Sequence, residues 1–126
     1  MKRTWKVHDS AELYLISRWG TPYFSINNLG NLYCSPLGDN INKIDLKLLV
    51  DDLCRRGIQP PILIRFNDIL NSRIKNISSA FYKSIKEYEY KGNYQLIMPI
   101  KVNQQRHVLE ELVKYGKSFN MGFLPL

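Results

Sequence analysis

Apolar residues first recur at helical spacing over Leu70, Ile74, Ile77, Phe81, Ile85 and Tyr88, while Arg73, Lys75, Lys83 and Lys86 take the other faces. That period predicts a long amphipathic helix opening at Asn67 and packed on a sheet. Upstream, Asp45 stands before Leu46, Leu49, Val50 and Leu53, with Gly57 just beyond. This is a helix with an N-cap and a glycine C-cap. Two strand-like runs, Tyr23–Ile26 and Asn31–Cys34, flank Asn27-Asn28-Leu29-Gly30 and read as a β-hairpin. Before them, Asp9-Ser10-Ala11-Glu12 has the form of a capping box, so a helix over 10–18 ending at Gly20 is expected. A polar loop covers 35–43.

From Pro61 onward the pattern alternates. Ile62-Leu63-Ile64 reads as a strand apolar on both faces, and the long helix follows it. A second buried strand is expected from Tyr94 to Ile100, then a helix over 104–115 with Val108, Leu109, Leu112 and Val113 inward, and a strand from about Ser118. Strand, helix, strand, helix, strand calls for parallel strands joined by crossovers. The fold class is α/β.

Lys101 stands at the carboxyl end of the second strand, where a helix begins. In parallel α/β folds that rim collects ligands and catalytic groups. An exposed lysine, with a pKa of about 10.4, is a free amine only about once in a thousand at neutral pH. Partial burial raises that fraction, and condensation with an aldehyde completes the change. On position alone, an ammonium that simply reaches water is the plainer reading.

Several segments together resemble the biosynthetic arginine decarboxylases, pyridoxal-phosphate enzymes of the alanine-racemase-like (fold-type III) class. They are Trp19-Gly20-Thr21-Pro22-Tyr23-Phe24-Ser25-Ile26-Asn27, Ile44-Asp45-Leu46, Pro60-Pro61-Ile62-Leu63-Ile64-Arg65-Phe66-Asn67-Asp68-Ile69-Leu70, Tyr90-Lys91-Gly92-Asn93-Tyr94 and Pro99-Ile100-Lys101-Val102-Asn103-Gln104-Gln105-Arg106-His107-Val108. They occur in the family's order and cover the chain from about Leu13 to Gly122. The resemblance implies that Lys101 is both the catalytic and the cofactor-binding residue, holding pyridoxal 5'-phosphate as a Schiff base. It implies residues 45–126 as the start of a (β/α)8 (TIM) barrel, incomplete here, and residues 1–44 as a helix and β-hairpin segment outside it. It further implies L-arginine as substrate of the intact enzyme, agmatine and carbon dioxide as products on the way to polyamines such as spermidine, a homo-oligomer, and an association with magnesium. No oxygen-ligand set for that ion stands out in the sequence. After Gly122, Phe123-Leu124-Pro125-Leu126 leaves the family's glycine-rich pattern, so the chain is expected to be a fragment, inactive by itself.

The remaining features narrow the alternatives. The chain has 126 residues, 44% hydrophobic and 23% charged, which indicates one folded domain at most and no disorder. Its net charge of +7 is spread without a dense run, which favours a solvated surface over a nucleic-acid partner, although tyrosines do lie near lysines. Cys34 and Cys54 form no Cys-x-x-Cys pair, and no metal ligands are assigned. The basic start, Met1 to His8, is followed by no apolar run, and no stretch is long enough to span a membrane, so a cytoplasmic protein is expected. His107 reads either as a titrating group near Lys101 or, more plainly, as an exposed helix histidine. Arg65 and Asp68 either pair or face the same rim, and neither receives a role. A non-catalytic remnant or interaction module of the same family is the second reading of the whole.

Overall fold

The computed structural model describes residues 4–39 and 41–125. The basic Met1-Lys2-Arg3 start, Asn40 of the polar loop and the final Leu126 lie outside the described residues. Two units emerge, Met1–Phe66 and Asn67–Leu126, and the chain is a mixture of helices and two small sheets.

In the first unit the expected single helix is two. Helix α1 spans Val7–Leu13 and α2 spans Ile16–Trp19. The capping aspartate acts one turn later than its sequence pattern suggested. Asp9 is the third residue of α1, not its N-cap, and its carboxylate accepts the Lys6 N–H at 2.8 Å. Between the helices Leu15 takes a left-handed φ of 52°, which turns Ile16 into the core. The Trp19 Nε1–H donates to the Tyr14 carbonyl at 3.0 Å across this break. Gly20 ends α2 as expected. A Cβ there would stand 2.6 Å from the Ile16 carbonyl oxygen and 2.7 Å from that of Phe24, so only glycine fits.

The hairpin forms as its pattern implies. Strands β1 (Phe24–Ile26) and β2 (Leu32–Cys34) are antiparallel, with Ser25 opposite Tyr33. A third strand, β3 (Ile44–Asp45), joins β2 antiparallel, an addition that two residues of sequence did not signal. Helix α3 (Leu46–Arg55) follows at once and packs against β2. Its far end is a Schellman turn: Gly57, at φ 87°, donates to the Cys54 carbonyl and Ile58 to that of Leu53, both at 3.0 Å.

Asp45 ties this unit together. Its carboxylate accepts the Lys47 and Leu48 N–H groups at 3.0 and 3.1 Å, which caps α3. It also accepts the side-chain amides of Asn27 and Asn31, at 2.8 and 2.9 Å, which fixes the hairpin turn to the helix. The Asn31 amide, followed by the Leu48 N–H, Asn27 and the Lys47 N–H, outweighs desolvation and holds the Asp45 carboxyl below its ordinary range. A folded-state pKa below the unfolded one gives stability that is complete above about pH 4 and lost as pH falls through the folded value. Thermal melting of the wild-type chain should therefore fall as the buffer is taken from pH 5 to below 3. In Asp45→Ala that fall should be clearly smaller, and equal slopes would show that Asp45 is not the titrating group.

In the second unit helix α4 runs Asn67–Glu87, as the apolar period implied. It ends without a glycine, through Glu89 at φ 49° and a Tyr90 N–H to Ile85 carbonyl bond of 3.0 Å. Strand β4 (Ile97–Pro99), helix α5 (Arg106–Gly116) and strand β5 (Gly122–Leu124) follow. β4 and β5 pair in parallel, with Ile97 opposite Gly122, Met98 opposite Phe123 and Pro99 opposite Leu124. The alternation of elements thus produces parallel strands across a helix, but both strands are shorter than the apolar runs suggested. The last strand begins at Gly122; Lys117–Phe119, where it was expected, is a 3-10 turn. Ile62-Leu63-Ile64 joins no ladder among the described residues. A run apolar on both faces becomes a strand only beside neighbours that pair with it and layers that cover it. Ile74 and Leu112 are the buried apolar side chains of this unit, from α4 and α5, which pack against each other.

Candidate active site at the end of strand β4

Lys101 is the centre of a single 3-10 turn, Ile100–Val102, that leaves β4 directly. The residue therefore stands just past the carboxyl ends of two parallel strands, the rim its sequence position indicated. Two local hydrogen bonds hold the turn. The Asn103 N–H donates to the Ile100 carbonyl at 3.1 Å, and the Asn103 Oδ1 accepts the Gln105 N–H at 3.2 Å. The second bond is an Asx turn, which offers the backbone an alternative to continuing as helix and delays α5 to Arg106. Asn103 is a shaping residue that strand and helix periods do not reveal.

The approach to β4 is anchored by aromatic packing. Tyr94 stacks on Phe81 of α4, with ring centroids 4.5 Å apart and planes 11° apart, and meets Tyr82 edge-on at 5.5 Å. Contacts of this kind are worth about 0.5–1.5 kcal/mol beyond their buried area. Two of the tyrosines near lysines, Tyr82 and Tyr94, thus find a packing use, while Tyr88 and Tyr90 are exposed. Helix α5 and the turn after it fold back so that the Met121 N–H reaches the Gly116 carbonyl at 3.0 Å, and the Gly122 N–H reaches Leu96 at 2.8 Å. That last bond aligns β5 beside β4.

The side chain of Lys101 is exposed, and its ammonium has no ion-pair partner among the described residues. His107 is exposed in the first turn of α5, with no hydrogen bond to Lys101. Asp68 lies in the first turn of α4, where a carboxylate favours the positive end of the helix. Arg65 lies in the irregular stretch that closes the first unit. Burial raises the thiol pKa of Cys34 in β2, so it stays protonated, while Cys54 is half-buried in α3. Among the described residues no three His, Cys, Asp or Glu side chains gather to hold a metal ion, and no helix is long and apolar enough to cross a membrane. Lys75, Lys83 and Lys86 are exposed lysines as well; what sets Lys101 apart is its place just past the carboxyl ends of β4 and β5.

No family model matches the chain. Curated proteins do. Over 118 residues the chain is 49% identical to a biosynthetic arginine decarboxylase of Gloeobacter violaceus, a match covering 94% of this chain and 18% of that protein. The enzyme of the same name from Bacteroides thetaiotaomicron is 49% identical over 120 residues, or 95% of this chain and 19% of the relative. That of Geotalea daltonii is 48% identical over 118 residues, with 94% and 19% covered. The chain spans about a fifth of the length of the curated relatives it matches. Across nearly all of its own length, this chain is similar to the N-terminal part of the biosynthetic arginine decarboxylases.

Proposed function

We propose that the chain is the N-terminal part of a pyridoxal-phosphate-dependent arginine decarboxylase, and that Lys101 is the residue that holds the cofactor. The observation that carries this reading is the 48–49% identity to biosynthetic arginine decarboxylases over 94–95% of the chain, and the place of Lys101 at the carboxyl rim of a parallel strand pair accords with it. In this reading residues 45–126 open a (β/α)8 barrel and residues 1–44 lie outside it. The substrate is L-arginine, and the products are agmatine and carbon dioxide.

Pyridoxal phosphate supplies an aldehyde that takes up amines and a ring that accepts the electrons left when carbon dioxide departs. Lys101 must present Nζ as the free base to that aldehyde and give way when the substrate amine arrives. Both demands suit a side chain whose backbone is pinned by the bonds at Ile100 and Asn103 while its four-carbon stem stays mobile. Desolvation of Nζ, which the exposed position does not provide, has to come from the greater part of the enzyme that lies outside these residues. By itself the chain should therefore release no agmatine from arginine, as a non-catalytic remnant would behave.

The test places these residues in front of the rest of the Gloeobacter violaceus relative as one continuous polypeptide. Borohydride reduction after cofactor addition, followed by peptide mapping, should find the pyridoxyl group on Lys101. A decarboxylating chimera labelled at any other lysine would overturn the assignment.

A further inference from the structure

Between the turn that carries Lys101 and the helix after it, the backbone is pulled straight. The 3-10 turn ends at Val102 and α5 begins at Arg106, and both Asn103 (φ −153°, ψ 102°) and Gln105 (φ −66°, ψ 121°) between them are extended. Propensity alone does not call for this break. Gln104 and Gln105 are good helix formers, and a 3-10 turn commonly opens an α-helix. No side-chain cap at Gln105 starts α5 either. What opposes a continuous helix is the Asx bond, in which Asn103 Oδ1 accepts the Gln105 N–H at 3.2 Å. Asn103 is also half-buried, whereas the residues around it from Lys101 to His107 are exposed.

The break sets a distance. A three-residue stretch spans about 10 Å when extended and about 4.5 Å when helical. Helix α5 is not free to absorb the difference, because it packs against α4 and its far end is tied back through the Met121 N–H to the Gly116 carbonyl. With 103–105 helical, Lys101 would therefore be drawn roughly 5 Å toward α5 and off the rim of β4 and β5. A reacting group misplaced by about 1 Å already costs on the order of a hundredfold in rate.

We propose that Asn103 is a positioning residue for Lys101: its Asx turn keeps the turn at the end of β4 apart from α5 and so fixes where the lysine amine stands. The inference deepens the reading of Lys101 as the residue that holds the cofactor, and it rests on that reading. The side chain acts here through its acceptor oxygen. A serine hydroxyl can accept the same N–H, more weakly, whereas alanine cannot and is the best helix former.

The experiment compares Asn103→Ala, Asn103→Ser and Gln104→Ala with the parent in the continuous chimera. Amide exchange at Gln105 should quicken about tenfold in Asn103→Ala, while protection along the rest of α5 persists. Borohydride labelling with limiting pyridoxal phosphate should slow about tenfold at Lys101 in that variant, and kcat should fall by at least the same factor. Labelling of the exposed Lys75 and Lys83 should not change. Asn103→Ser should recover most of each loss, a rescue that follows from the shared acceptor, and Gln104→Ala should match the parent. Three outcomes overturn the proposal: unchanged exchange at Gln105 in Asn103→Ala, labelling of Lys101 there as fast as in the parent, or a serine variant as impaired as the alanine one. Labelling of a different lysine in the parent defeats the role of Lys101 and this inference with it. A parent labelled at Lys101 beside an Asn103→Ala labelled there equally fast defeats this inference alone.

Discussion

Lys101→Ala, made in the continuous chimera, is expected to lower kcat for arginine decarboxylation by at least about a thousand-fold, on the order of 4 kcal/mol of activation free energy. Loss of Nζ removes the amine that holds the aldehyde in place and that must return at the end of each turnover. Lys101→Arg should fare no better, because a guanidinium keeps the charge but has no free base at working pH. Two further readings separate chemistry from misfolding. A small primary amine added to Lys101→Ala should restore part of the rate, since the missing function is an amine and not a packed side chain. His107→Ala should stay within about threefold of the parent, as exposed substitutions away from the chemistry usually do. Turnover in Lys101→Ala within about tenfold of the parent would remove Lys101 from the active site.

What the sequence made legible follows from how local each cause is. Helix α4 announces itself because one apolar face repeats over 21 residues, and α3 because Asp45 and Gly57 mark its two ends. The hairpin is legible in its Asn/Gly turn. The misread places depend on partners distant in the chain. Asp9 satisfies a capping pattern equally well as first or third member, and only the fit of Ile16 into the core decides where the helix breaks. The strand β3 exists because Asp45 is drawn to Asn27 and Asn31, 18 and 14 residues earlier. Ile62-Leu63-Ile64 has a strand's composition, but composition cannot supply the neighbour that completes a ladder. At the candidate site, the position of Lys101 was readable from the strand-to-helix boundary. The turn that displays it was not, because the Asx bond of Asn103 has the same sequence signature as any polar loop.

Leu112→Ala should be the most damaging substitution in the second unit. Leu112 is 3% exposed on α5, and Ile74, 4% exposed on α4, is the other buried apolar side chain there. Truncating a buried leucine costs about 2–5 kcal/mol through lost transfer energy and the cavity left behind. A unit of this size has only about 3–9 kcal/mol in total at typical stability per residue. The apolar face of α4 is lightly covered toward its end, with Phe81 52% exposed and Tyr88, just past the helix, 78% exposed, so little redundancy is available to absorb the loss. The expected result is collapse of amide protection along both α4 and α5, read by hydrogen exchange, because each helix is held chiefly by the other. Val113→Ala provides the comparison on the next residue of the same helix. Its side chain is 40% exposed, so the same chemistry there should cost about 1 kcal/mol or less. If both variants lose protection equally, burial at Leu112 is not what holds the unit, because alanine is the better helix former at both positions and propensity cannot account for the loss.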